Sequence, residues 1–157
     1  MTETLQEQQA ACECGVCQFE VGAAPAVRFF CHCTICQAYN GKPFADVTVL
    51  RARYVEVNDR SQIAFKKYRL PPNIDRGLCK NCGKPAIEFG GFGSAKLAFI
   101  PSINFKRQEL LPPPSMHIFY HRRLSDAADD LPKHSGYLGS QMAVGGRIMR
   151  LFRGGGG

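Results

Sequence analysis

The sequence contains no long hydrophobic run, and its first residues lack the pattern that a secretory leader would be expected to have. No stretch approaches the roughly 18 uninterrupted apolar residues that a membrane-spanning helix requires. Residues 1–11 are polar and carry acidic side chains, whereas a secretory signal would be basic and then apolar. We therefore expect a cytoplasmic protein without a membrane partner.

Extremes of composition are missing as well. Apolar residues make up 45% and charged residues 21% of the 157 residues, so neither wholesale disorder nor a fibrous repeat is indicated. No internal repeat is visible beyond the cysteine pairs. The length suits one core. We expect a folded domain over residues 12–132, a flexible leader over residues 1–11, and a mobile glycine- and arginine-rich tail over residues 133–157.

The pattern of apolar residues predicts a mainly β fold. Short runs rich in valine, isoleucine and aromatic residues end near glycine, proline, asparagine or aspartate, as strands do. Only residues 102–110 and 125–131 look helical, and both are short. The predicted strands cover residues 18–21, 26–30, 44–50, 54–57, 63–68, 86–89, 96–100 and 116–120.

Eight cysteines are present, and their spacing favours metal binding over disulfides. The pairs Cys12/Cys14 and Cys31/Cys33 lie two positions apart, which suits a shared metal ion better than an unstrained disulfide. A reducing cytoplasm points the same way. Zinc is the expected cofactor, and metal-bound thiolates would cancel part of the formal charge of +7.

One predicted zinc site is structural. In Cys79-Lys80-Asn81-Cys82-Gly83 the two cysteines are three positions apart and the glycine permits a tight turn, as in a zinc knuckle. Cys12 and Cys14 supply the other two ligands of a tetrahedral site. Cys14 and Cys17 are three positions apart, as Cys79 and Cys82 are. The pair Cys14/Cys17 is therefore an alternative to the pair Cys12/Cys14.

The second predicted site is open. Cys31, Cys33 and Cys36 place three thiolates within six residues and have no matching pair elsewhere, which leaves one position for a substrate. The alternative is a fourth protein ligand, from Cys17, His32 or His117, that makes the site purely structural. His32 is expected to pack behind the site rather than bind metal. His121 and His134 are expected to be exposed.

The cysteine motifs together resemble the glutathione-dependent formaldehyde-activating enzyme family, which has the Mss4-like fold. They are Cys12-x-Cys14-Gly15, Cys31-His32-Cys33-x-x-Cys36 and Cys79-x-x-Cys82-Gly83, followed by His117-Ile118-Phe119 and Asp129-Asp130-Leu131-Pro132. The resemblance covers residues 12–132. It implies antiparallel β-sheets stapled by zinc, with a structural ion on the four outer cysteines and a catalytic ion on the central three.

The resemblance also implies a reaction. The family is named for condensing formaldehyde with glutathione to S-hydroxymethylglutathione, a carbon–sulfur lyase or synthase step. Cys17, the stretch Gln37-Ala38-Tyr39-Asn40-Gly41, the pair Pro71-Pro72 and the tail depart from the usual family pattern.

Three functional hypotheses follow. The first is a zinc enzyme that acts on a small thiol such as glutathione and its aldehyde adduct, with Lys42, Arg69 or Arg76 holding an anionic substrate. The second is a zinc-stabilised binding module that contacts an acidic protein or, less expectedly, nucleic acid. The third is redox sensing by an exposed Cys17 of low pKa. The basic residues of the second hypothesis are Arg51, Arg53, Lys66, Lys67, Arg69, Arg122 and Arg123.

Overall fold

The computed structural model describes residues 8–68 and 74–153. Their strands are β1 (Gln8–Ala11), β2 (Gln18–Val21), β3 (Val27–Cys31), β4 (Ala45–Arg51), β5 (Val55–Val57), β6 (Ile63–Lys66), β7 (Ile74–Cys79), β8 (Pro85–Gly90), β9 (Leu97–Pro101) and β10 (His117–Ile118). Their α-helices are α1 (Thr34–Asn40) and α2 (Tyr137–Arg153). Short 3₁₀ turns cover Ala52–Tyr54, Arg60–Gln62, Gly93–Ala95, Ser102–Asn104, Gln108–Leu110 and Tyr120–Arg122.

The strands form two sheets. A three-stranded sheet has the order β1-β2-β5, and a seven-stranded sheet has the order β10-β3-β4-β9-β8-β7-β6. All strand pairs are antiparallel except β10 with β3. The prediction of a mainly antiparallel β protein with few helices is confirmed. All eight predicted strands coincide with observed ones, but β1 and β7 were not predicted.

The two faces of the seven-stranded sheet carry separate hydrophobic cores. On β4, Val47 and Val49 pack in one core while Leu50 packs in the other, because successive side chains of a strand point to opposite faces. The first core joins the two sheets through buried side chains such as Phe19 of β2. The second core lies under α2, which contributes Val144.

A mobile tail was expected over residues 133–157, but Tyr137–Arg153 form the helix α2 instead. Ser140, Val144, Ile148 and Leu151 recur at helical spacing and are its less exposed positions, while Leu138 and Met142 face outward. The adjacent glycines at 145 and 146 cost roughly 1 kcal/mol each in a helix, so packing of the apolar face outweighs the poor propensity. Residues 154–157 lie outside the described part.

The loose leader expected over residues 1–11 is corrected at its last four positions. Residues 8–11 form β1, which pairs with β2, and Ala10 is fully buried in the first core. Apolar residues in this short polar segment recur neither at helical spacing nor in a long alternation with polar ones. Only the pairing with β2 therefore reveals the strand. Residues 1–7 lie outside the described residues.

The predicted helices are wrong in extent. Within 102–110 only two 3₁₀ turns form, and residues 125–131 contain no helix. The helix α1 was not predicted. Cys33 is its N-cap and Gly41 its C-cap, and the left-handed φ of 61° at Gly41 suits glycine. Within the described ranges, neither α-helix combines the length and apolarity needed to cross a membrane.

Candidate metal centres

Four cysteines from two distant segments meet where the two sheets join. Cys12 and Cys14 lie in the turn between β1 and β2, Cys79 ends β7, and Cys82 lies in the turn before β8. All four sulfur atoms lie within 4.8 Å of one another. The Cys12–Cys14 and Cys14–Cys79 sulfur distances are 3.6 and 3.7 Å. The Zn–S bond of about 2.3 Å requires about 3.8 Å between sulfurs of a tetrahedron, so this cluster fits zinc.

Hydrogen bonds around these sulfurs favour the thiolate form that a metal needs. The main-chain N–H groups of Asn81 and Cys82 donate to the Cys79 sulfur at 3.3 and 3.5 Å. The side-chain amide of Asn81 donates to the Cys14 sulfur at 3.4 Å and lowers the pKa of that thiol. Tight turns with glycine at positive φ follow both segments, at Gly15 and Gly83.

Cys17 lies outside this cluster, so the sequence alternative that exchanged it for Cys12 is wrong. Its main-chain N–H donates to the Cys12 sulfur at 3.3 Å, and its own thiol donates to the Gln62 carbonyl at 3.4 Å. Cys17 is only 1% exposed, and burial raises its thiol pKa. It therefore does not meet the conditions that redox sensing requires, which are exposure and a low pKa.

The other three cysteines gather in one short segment. Cys31 ends β3, Cys33 caps α1, and Cys36 lies in the first turn of α1. Their sulfur atoms also lie within 4.8 Å of one another. The Cys36 N–H donates to the Cys33 sulfur at 3.3 Å. Hydrogen bonds from the Cys31 and Cys36 side chains lower the Cys33 pKa to about 3, so a thiolate that could bind a metal is favoured here.

No fourth protein ligand joins the three cysteines among the described residues. The alternatives His32 and His117 instead bond to each other, with 2.8 Å between His32 Nε2 and His117 Nδ1. His117 Nε2 lies 2.8 Å from Asp129 Oδ2. Both histidines are buried, so this row of side chains supports the loop that carries the cysteines.

A cavity of about 440 Å³ opens onto the three-cysteine cluster. Its floor is one face of the seven-stranded sheet, and α2 covers it with side chains such as Val144 and Ile148. Phe119, which adopts a left-handed φ of 52°, also lines it and donates its N–H to the Ser140 hydroxyl of α2 at 2.8 Å. The expected tail is thus a wall of this cavity.

Of the two described residues among the three basic ones proposed to hold an anionic substrate, Arg76 lines this cavity. Lys42 lines a different cavity, and Arg69 lies outside the described residues, as do Pro71 and Pro72. Among the residues named for a basic binding surface, Lys67 pairs with Asp75 and Arg123 with Asp126, while Arg122 lines the 440 Å³ cavity.

A larger cavity, of about 710 Å³, lies beside the four-cysteine cluster. Lys42, Lys84 and Lys106 line it. The larger volume does not make this cavity the better candidate active site. Four protein thiolates would complete the tetrahedral coordination of a zinc ion and leave no position for a substrate. The smaller cavity reaches the incomplete set of ligands and is the better candidate active site.

Sequence reasoning missed Glu88 and His121, which both line the smaller cavity. Glu88 is an acid in the middle of the otherwise apolar strand β8, and an isolated charge in a buried strand was the available signal. His121 is exposed, as expected, and its Nδ1 accepts the Gly136 N–H at 2.8 Å. His134 is half-buried instead, because its main chain pairs with that of His117.

Comparison with known proteins agrees with these observations. Three-dimensional similarity links the chain to a crystal structure of a Rhodobacter sphaeroides protein, a structural genomics target, with a TM-score of 0.52 and 16% identity. That match covers 67% of this chain and 91% of the other and concerns the fold alone. No curated protein sequence matches. The family model described as "Glutathione-dependent formaldehyde-activating enzyme" matches residues 7–122. The chain therefore belongs to the glutathione-dependent formaldehyde-activating enzyme family.

Proposed function

We propose that this protein is a zinc enzyme that joins a small thiol to an aldehyde, or splits their adduct, in a carbon–sulfur lyase-type reaction. The observation that carries the proposal is the cluster of Cys31, Cys33 and Cys36 at the wall of a 440 Å³ cavity, which no fourth ligand joins within residues 8–68 and 74–153. The second cluster, of Cys12, Cys14, Cys79 and Cys82, would hold a structural zinc ion.

Zinc at the three cysteines would bind the substrate thiol as a thiolate and so supply the nucleophile at neutral pH. The chain itself provides the enclosure. Val144 and Ile148 of α2 lie over the sheet and exclude water from one side of the cavity. Arg122 lines the same cavity but is exposed, so it stands where an entering anionic thiol would meet positive charge.

We propose glutathione, or a thiol of similar size and charge, as the substrate. The family description supports this choice, and 440 Å³ lies within the range of about 300–1,000 Å³ that is usual for small-molecule sites. None of the eight cysteines, all of which are described, forms a disulfide. Two working thiolate clusters need a reducing compartment, so we propose a cytoplasmic location.

The test compares Cys33→Ser with Cys17→Ser, a matched control whose sulfur belongs to neither cluster. Zinc per chain is measured by elemental analysis under reducing conditions. Hemithioacetal formation from glutathione and formaldehyde is followed after the spontaneous rate is subtracted. We expect two zinc ions in the wild type and in Cys17→Ser. Cys33→Ser should keep one zinc ion and its fold but lose catalysis.

Two results would contradict the proposal. One is a single zinc ion per chain in every variant, which would leave only the structural site. The other is a fully metallated wild type that neither binds low-molecular-weight thiols nor exceeds the spontaneous rate.

A further inference from the structure

A buried arginine–glutamate pair lies in the floor of the 440 Å³ cavity. Arg76 of β7 and Glu88 of β8 are directly opposite each other in the sheet, with 2.7 Å between Arg76 Nε and Glu88 Oε1. Arg76 is 6% exposed and Glu88 is 7% exposed. Both line the cavity that the three cysteines share. The pair is therefore within the proposed active site.

Part of the hydrogen-bonding capacity of this pair is not used. Among the described residues, Arg76 Nη1 is buried without any partner, and the buried atoms Arg76 Nε and Glu88 Oε1 meet only each other. The 2.7 Å contact brings the two charges together, but it does not have the alignment of a hydrogen bond. Buried polar atoms are almost always paired, so the unused Arg76 Nη1 donor in a cavity wall indicates a ligand atom that accepts from it.

A second arginine–carboxylate pair shows what a purely structural pair looks like here. Arg28 Nε and Nη2 donate to the two carboxylate oxygens of Asp46 at 2.9 and 2.7 Å, and Arg28 Nη1 donates to the Pro112 carbonyl at 3.1 Å. This pair does not line the cavity. The Arg28 N–H groups thus have acceptors, whereas Arg76 Nη1 has none among the described residues.

The surroundings hold the cavity pair rigidly. The Tyr39 hydroxyl donates to the carbonyl of Gly77, the residue after Arg76, at 2.6 Å. The Tyr68 ring lies 5.8 Å from the Arg76 guanidinium.

Burial raises the pKa of Glu88 to about 7. A carboxyl that gains and loses a proton near neutral pH suits acid–base chemistry.

We propose that Arg76 and Glu88 form the oxygen-handling half of the active site, on the reading that the substrates are a thiol and an aldehyde. Arg76 donates an N–H to the aldehyde oxygen, and Glu88 transfers a proton to that oxygen as the adduct forms. This assignment rests on the proposed function and adds two catalytic residues to it.

The step balances without an oxidant or reductant. The thiolate lone pair forms the new C–S bond, the C=O π pair moves onto oxygen, and the Glu88 carboxylic acid gives its proton to that oxygen. Glu88 is then a carboxylate and accepts the proton that the next thiol releases on binding. Adduct cleavage is the reverse, with the Glu88 carboxylate taking the hydroxyl proton.

The experiment uses the zinc-loaded full chain with Arg76→Met and Glu88→Gln, beside Arg28→Met and Asp46→Asn as matched controls. Zinc per chain, the Kd for glutathione by calorimetry, and kcat and KM for formaldehyde are measured. We expect unchanged zinc and thiol binding in all four variants. The kcat/KM for formaldehyde should fall roughly 100-fold in each cavity variant and stay within about threefold in the controls.

The other outcomes distinguish a failure of this assignment from a failure of the proposed function. Cavity variants that keep formaldehyde kcat/KM within threefold overturn the assignment and leave the proposed function standing. Arg76→Met that weakens glutathione binding but keeps kcat also overturns it, because Arg76 would then bind the thiol. A wild type without catalysis overturns both. If Arg76→Met does not fold, the nearly isosteric Glu88→Gln alone decides, since it removes the proton but preserves the shape.

Discussion

The two cysteine clusters use the same kind of ligand but are assembled differently. The four-cysteine cluster joins a turn of the small sheet to β7 and its following turn, across 65 residues between Cys14 and Cys79. The three-cysteine cluster comes from one segment, residues 31–36, and faces a cavity. A metal bound by distant segments holds the fold together, whereas one bound by a local segment leaves the fold largely independent of it.

Their supports differ too. Main-chain N–H groups of the turns donate to Cys12 and Cys79 in the first cluster. The second cluster lies beside a row of side chains that runs from His32 through His117 to Asp129. A main-chain N–H also donates to Cys33 in the second cluster. The buried row of side chains is therefore a support that the second cluster has in addition.

The largest effect should come from Cys79→Ser. Structural zinc sites contribute an apparent binding free energy of about 10–16 kcal/mol, and the loss of one thiolate removes a large part of it. We expect the variant to be unfolded or insoluble, whereas Cys33→Ser keeps a cooperative transition. Denaturant unfolding and zinc content measure both. Equal loss of stability in the two variants would erase the distinction between the clusters.

A smaller effect should follow His117→Ala, which leaves His32 Nε2 buried without its partner. We expect zinc at the three-cysteine cluster to bind about tenfold more weakly, while the four-cysteine cluster is unaffected. Competition with a chelator resolves the two ions. His134→Ala is the control, because His134 bonds to neighbouring segments through its main chain. Weaker binding at both clusters would show that the histidine row supports the fold in general.

The smallest effect should be that of Val144→Ala in α2. Val144 is buried over the cavity, so its truncation should cost roughly 2 kcal/mol of unfolding free energy. Met142→Ala on the outer face, where the side chain is 69% exposed, should cost less than about 0.5 kcal/mol. Denaturant midpoints provide the comparison. If Val144→Ala has no greater effect than Met142→Ala, α2 does not help to close the cavity.

Particular residues show how far sequence reasoning reached. The spacing of Cys79 and Cys82 and the density of Cys31, Cys33 and Cys36 are local, so both cysteine groups were visible in the sequence. The choice between Cys12 and Cys17 was not visible, because Cys12 lies two and Cys17 three positions from Cys14 and both spacings suit a metal site. Only packing buries Cys17 against Gln62. Glu88 was missed because its role depends on the strand that pairs with it.

By itself, the sequence determined the mainly β character, most strand positions and the two groups of cysteines that could hold a metal ion, since these depend on short-range pattern and spacing. Tertiary structure decided what long-range pairing controls. It placed Arg76 beside Glu88 in one cavity. It also gave a glycine-rich segment a helical conformation, because the apolar face of α2 has a sheet to cover.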